Sequence, residues 1–309
     1  MDQKMLLGFY KREKFWRVFT SFSVLICLSL TQPSHGQSNN REIGPTSEPL
    51  GTLNMQTWGV PVKLEDSSRT IILEATTFRP DAAAPFPLVI INHGANKTAP
   101  SDGPWNYRPD NAIRWFLSKG YAVAVLIRRG YGRSEGKRTA LEASTWPDMK
   151  KSLDERANDI NSTVEYFRSQ PFVIDDRIVL TGISAGGNAV LAAASKNPEG
   201  VKGVIAFAPG VANNNRYELV QPDLVEQGFK KLGSTNKIPV LWVYVENDQY
   251  ESPKLARFYF KAYKSESDAG QELVIYPPSG EDGHDLFQRD DGSETWGPHA
   301  KRFLERVMQ

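Results

Sequence analysis

From residue 55 onward, apolar positions along the chain fall into two recurring spacings. Runs such as LVIIN (88–92), YAVAVLI (121–127) and IPVLWVYV (238–245) are almost continuously apolar. That is how strands covered on both faces of a parallel sheet read. The candidate strands are 57–64, 68–78, 87–92, 121–127, 176–182, 202–208, 238–245 and 271–277. The second, from Arg69 to Thr76, partly alternates, as an edge or antiparallel strand would. Between the runs the spacing lengthens to three and four: Leu153, Ala157, Ile160, Val164 and Phe167 share one face of a helix over 148–168. Similar stripes mark 185–195, 252–263 and 296–307. Strand–helix alternation of this kind predicts an α/β fold, a mostly parallel eight-stranded sheet with helices on both faces. The stretch 209–237 between two strands is too short for a large cap domain, so 55–309 reads as one domain.

The residues ahead of it follow a different pattern. Lys4, Lys11, Arg12, Lys14 and Arg17 precede an apolar run from Val18 to Leu30, and small polar residues follow. This is the order of a secretory signal peptide, with Ser34 and Gly36 at the small positions before cleavage. The run is about 13 residues against the roughly 20 that span a bilayer, so an uncleaved anchor is the weaker alternative. A leader at 1–36, a polar linker at 37–54 and an exported mature protein with no stable membrane span are expected. Cys27 is the only cysteine and falls within the leader. Bulky Ile26 before it argues against a lipid-modified cysteine.

Charge narrows the functional classes. The net charge is +1, and the leader carries much of the basic excess. What remains leaves no electrostatic footprint for nucleic acid. The mature part has no thiol for nucleophilic or metal chemistry. No metal motif is present, and GISAGG lacks the Lys-Ser/Thr of a nucleotide loop, so no cofactor is expected.

Two segments match G-x-S-x-G, 132–136 around Ser134 and 182–186 around Ser184. A nucleophile elbow requires a strand, a tight turn with small neighbours, and then a helix. Ser184 has RIVLT before it, Gly182, Ala185, Gly186 and Gly187 around it, and NAVLAAAS after it. Ser134 is flanked by Arg133 and Glu135 and has no buried helix start, so it reads as a turn residue.

A serine hydroxyl needs a base to take its proton. Of four histidines, His35 is in the leader, His93 precedes the nucleophile and His299 lies on the last helix. His284, in GEDGHDLF after the last strand, remains. The acid that orients it belongs between the serine and the histidine, after a strand. Asp248 in VENDQ is favoured over Glu246, and neither Asp282 nor Asp285, which flank the histidine, is excluded, although sequence neighbours rarely point at each other's ring. Two N–H donors must face the developing oxyanion. Ala185 follows the nucleophile, and Ala95 follows Gly94 in the loop after the third strand, where His93 is expected to brace the backbone. Trp105 and Tyr107, in the long loop beyond, are candidates for a substrate pocket.

With these residues in place the chain resembles the α/β-hydrolase superfamily, and within it dienelactone hydrolase-like esterases and prolyl-oligopeptidase-type catalytic domains. The resemblance covers about 68–307 and rests on INHGAN, RRGYGRSEG, DDRIVLTGISAGG, VENDQY and GEDGHDLF in that order. It implies the eight-stranded sheet, a Ser184–Asp248–His284 triad and the two donors. Dienelactone hydrolases proper use a cysteine where Ser184 stands, relatives often carry an aspartate where Ile127 stands, and prolyl oligopeptidases carry a propeller this chain cannot hold. The leading expectation is a serine esterase that cleaves small carboxylic esters through an acyl-enzyme. A serine peptidase for short peptides and a non-catalytic binding protein on the same scaffold are the alternatives. No acidic pair readable in the sequence suggests a grip on a peptide amino terminus, which favours esters.

Overall fold

The computed structural model describes residues 41–65, 67–140, 143–211, 219–267 and 269–309. The expected leader, 1–36, and residues 37–40 of the expected linker lie outside the described residues. Among the described residues nine strands form one sheet: β1 (Gly44–Pro45), β2 (Gln56–Lys63), β3 (Thr70–Phe78), β4 (Phe86–Asn92), β5 (Ala122–Leu126), β6 (Val173–Ile183), β7 (Val201–Phe207), β8 (Val240–Val245) and β9 (Gln271–Tyr276). The last eight are those the apolar runs predict. The two residues of β1 pair with Gly59 and Trp58 of β2, inside the segment read as a linker.

The spatial order is β1-β2-β3-β5-β4-β6-β7-β8-β9. The pairs β1/β2, β2/β3 and β3/β5 are antiparallel, and from β5 to β9 every pair is parallel. The apolar runs follow from burial on two faces. Leu88 and Ile90 of β4 enter one core with α2 (Trp146–Arg168), α3 (Ala185–Ala194), α4 (Pro222–Thr235) and α5 (Pro253–Lys264). Val89 and Ile91 enter the other, with α1 (Asp110–Ser118) and α6 (Gly292–Val307). Period-two alternation thus sends successive apolar side chains to opposite cores.

The chain leaves β4 for β5 on one side and reaches β6 on the other. That makes the crevice beyond the carboxyl ends of β4 and β6 a topological switch point, where open α/β sheets bind ligands. Helices α1 and α4 are absent from the sequence reading. The first starts after Pro109 without a side-chain cap. The second carries Gly228 and Gly233, which read as breakers, yet both are buried on its inner face with Val225, Phe229 and Leu232. Among the described residues no helix is long and apolar enough to cross a membrane.

Candidate active site

Strand β6 ends at Ile183 and α3 begins at Ala185, so Ser184 alone makes the turn, at φ 56° and ψ −122°. A non-glycine residue held there costs on the order of 1–3 kcal/mol. Small neighbours let the turn close. A Cβ on Gly182 would lie 2.5 Å from the Gly186 carbonyl oxygen, and one on Gly186 would lie 2.4 Å from the carbonyl oxygens of Asn92 and His93. The loop after β4 runs alongside: a Cβ on Gly94 would touch the Ser184 Cβ at 3.4 Å. The Ser184 N–H donates to the Phe207 carbonyl at 2.9 Å.

Two further loops meet this turn. Asp248, fully buried past the end of β8, accepts from the backbone N–H groups of Tyr250 (2.7 Å) and Glu251 (2.8 Å) through Oδ1. His284 Nδ1 lies 2.9 Å from its Oδ2 and 3.1 Å from Oδ1. A carboxylate only accepts, so Nδ1 carries the proton and Nε2 is left as the basic nitrogen. His284 is the second residue of a short 3-10 turn, Gly283–Phe287. Asp282 Oδ1 caps that turn, taking the N–H of His284 and that of Gln249, both at 2.9 Å, and so ties the two loops together. Glu246, the other acid weighed for this role, is exposed at the strand end.

Ser184, His284, Ala95, Ala185, Trp105 and Tyr107 all line one cleft of ≈ 770 Å³. Ala185 is the first residue of α3, where an N–H has no acceptor within the helix. Ala95 is exposed just past Gly94. His93 is fully buried: its Nε2 accepts the Arg128 backbone N–H at 3.1 Å, so Nδ1 donates to the Gly94 carbonyl at 2.7 Å. Burial, and then the Arg128 guanidinium, hold its pKa well below the imidazole range, and the ring stays neutral. Trp105 and Tyr107 line the cleft and also pack edge-on against His93, at 4.6 and 5.8 Å between ring centroids. Ser134 is a structural residue, as its turn suggested. Buried, its Oγ accepts the Glu74 N–H at 2.8 Å and donates to the Ile127 carbonyl.

The sequence reading missed three groups at this cleft. Tyr250 lies with its ring centroid 4.6 Å from that of His284. Glu251 lines the cleft almost fully buried, and burial first, then the Asp248 charge, push its pKa well above the carboxylate range against a hydrogen bond from Tyr259. Arg156 lines it from α2. Its signal was readable, because a charge stands on the same helical stripe as Leu153, Ala157 and Ile160. Polar loop composition gave no such sign for Glu251.

The open parallel sheet, its switch-point cleft and the serine turn define an α/β-hydrolase. Residues 70–234, from β3 through α4, match the family described as X-Pro dipeptidyl-peptidase (S15 family), and the chain belongs to it. Among curated relatives it is 28% identical over 149 residues to the quorum-quenching protein AidA of Acinetobacter baumannii, covering 48% of this chain and 44% of that one. It is 31% identical over 139 residues to a polyketide transferase of a Penicillium species, covering 45% and 42%. The aligned part is thus under half the length of these relatives. An esterase of Pyrococcus furiosus superposes with a TM-score of 0.59 at 19% identity over 87% of this chain and all of its own, a likeness of fold.

Proposed function

We propose that this hydrolase cleaves carboxylic esters through an acyl-enzyme, with Ser184 as nucleophile, His284 as general base and Asp248 as its orienting partner. One observation carries the reading. An imidazole held by a buried carboxylate at 2.9 Å faces the same cleft as a serine on a strained strand–helix turn. In the first half-reaction Ser184 Oγ bonds to the ester carbonyl carbon while its proton passes to His284 Nε2. The backbone N–H groups of Ala95 and Ala185 stabilise the oxyanion. The C–O bond to the alcohol then breaks, and the imidazolium returns the proton to the leaving oxygen. Water repeats the sequence on the acyl-enzyme and releases the acid. Buried Asp248 stabilises the imidazolium at each step without taking the proton.

Esters are favoured because the acids lining the cleft offer a peptide amino terminus no close carboxylate pair. Glu251 is held toward its neutral form, Asp282 Oδ1 is taken by the N–H groups of Gln249 and His284, Asp285 is exposed at the rim, and Lys97 and Arg156 add cations. The family match supports a second reading, a peptidase releasing X-Pro units with the same three residues. The basic start and short apolar run support export after leader cleavage. Labelling with a fluorophosphonate and mapping by mass spectrometry tests the assignment. We expect an adduct on Ser184 that Ser184→Ala abolishes, and an adduct elsewhere overturns it. Parallel turnover of 4-nitrophenyl butyrate and an X-Pro 4-nitroanilide separates the two substrate classes.

A further inference from the structure

A second, smaller pocket of ≈ 130 Å³ opens beside the cleft, between α2 and α4, with Met149, Leu153, Leu224, Val225, Phe229 and Leu232 among its walls. Arg156 and Val211 line both cavities, so the two adjoin at the arginine. Arg156 is only 5% exposed. Its Nη2 donates to the Ala140 carbonyl at 2.7 Å, and its buried Nε has no hydrogen-bond partner. Among the described residues it forms no ion pair with a carboxylate. Arg129, a neighbouring arginine as deeply buried, is held by Asp159 at 2.7 Å. Burial pulls the Arg156 pKa down to about 10, which still leaves it charged at neutral pH.

A buried guanidinium with an unpartnered Nε and, among the described residues, no paired carboxylate is costly unless an anion arrives to pair with it. Its planar fork matches a carboxylate in two parallel hydrogen bonds. We propose that Arg156 is a specificity residue that binds a carboxylate at the far end of the substrate's acyl group, so that the preferred substrates are half-esters of dicarboxylic acids. The scissile carbonyl then sits at Ser184, the methylenes lie against Val211 and the apolar wall, and the free carboxylate meets Arg156. The inference rests on the ester-hydrolase reading of the cleft.

The test compares 1-naphthyl hydrogen adipate with 1-naphthyl methyl adipate, equal in reach but differing in charge, on the wild type, Arg156→Met and Arg156→Lys. The wild type should prefer the half-ester in kcat/KM. Arg156→Met should cut that preference about 10- to 100-fold, mostly through KM, as expected for a lost charge-assisted pair, and Arg156→Lys should restore part of it. A wild type indifferent to the charge overturns the proposal, and that comparison needs no variant to fold. An equal loss on both substrates in a folded Arg156→Met also overturns it and makes the arginine structural. If neither ester turns over and the fluorophosphonate leaves Ser184 unlabelled, the ester reading itself falls, an outcome distinct from either of these.

Discussion

Gly186→Ala sets helix propensity against packing, and the structure decides the sign. Gly186 is the second residue of α3. Alanine there gains at most about 1 kcal/mol in helix propensity. The new methyl would stand 2.4 Å from two carbonyl oxygens, those of Asn92 and His93, where 3.4 Å is ordinary contact. About 1 Å must be found between α3 and the end of β4. No flexible side chain can give way, because both obstacles are backbone, and β4 is paired on both sides by β5 and β6. Overpacking costs about 1–3 kcal/mol, and two backbone obstacles put this case in the upper half, about 2–3 kcal/mol, so a net loss of about 1–2 kcal/mol remains after the propensity gain. At roughly 2–4 °C per kcal/mol for a domain of this size, the melting temperature should fall about 2–8 °C. Activity should fall further than stability. The displaced carbonyls lead straight into Gly94 and Ala95, and a shift of about 1 Å at a reacting centre can cost about 100-fold. Thermal melts and kcat/KM on a small ester read both effects. Gly270→Ala is the control, since its nearest foreign atom would be 3.9 Å away, in Pro239. A Gly186→Ala protein that melts within about 1 °C of the wild type and keeps kcat/KM within about twofold would refute the packing argument.

Three further perturbations have defined outcomes. Asp248→Asn keeps an acceptor for the Tyr250 and Glu251 N–H groups but no longer holds an imidazolium, so kcat should drop about 10³- to 10⁴-fold with little change in melting; a loss under tenfold excludes Asp248 as the orienting acid. Glu251 has its pKa raised by burial, so the folded protein keeps that proton longer than the unfolded chain does. The group's contribution to stability is full below the ordinary carboxylate pKa and declines as pH rises above it. Glu251→Gln should therefore gain melting temperature relative to the wild type from pH 5 to pH 8, and a difference that stays flat across that range removes the burial argument. Ser134→Ala strips the Glu74 N–H of its acceptor and the Ile127 carbonyl of its donor, which should cost about 1–3 kcal/mol in denaturant titration, while fluorophosphonate labelling persists.

The legible part of the fold is the part that period and neighbour size dictate. The strands from β4 to β9 could be read because each sends alternate side chains into one of two cores, which leaves the apolar runs almost unbroken, while β2 shows the alternation of a strand that buries Trp58, Val60 and Val62 on one face. Helix α4 escaped because its stripe is completed by glycines. Gly228 stands where a Cβ would be 2.7 Å from Met149 Sδ, and Gly233 where one would be 2.1 Å from the Tyr263 carbonyl oxygen. These are packing positions, and their absent side chains carry no hydropathy signal. The loops of Ser184, Asp248 and His284 were readable for a related reason. Each follows a strand whose carboxyl end opens on the same edge of a parallel sheet, so chain order alone brought them to one cleft.

In the proposed assignment, selectivity follows a different logic from catalysis, which is why it is the harder half to read. The strained serine turn, the buried Asp248 and the neutral His93 depend on contacts within the strand ends and the loops that leave them, and those contacts are local enough to show in short motifs. Arg156 acquires its meaning only from what is missing around it, a carboxylate that no described element supplies. It stands on the inner stripe of α2, which the core would otherwise fill with an apolar side chain, and it opens on the pocket that α4 completes with Leu224, Val225 and Phe229. A substitution on α4 that narrows this pocket, leaving the serine turn untouched, should therefore change which acyl group is accepted before it changes how fast a small ester is cleaved. Val225→Phe is such a change: turnover of an acetyl ester should hold while that of the adipate half-ester falls, and equal losses on both would tie the pocket to the fold alone.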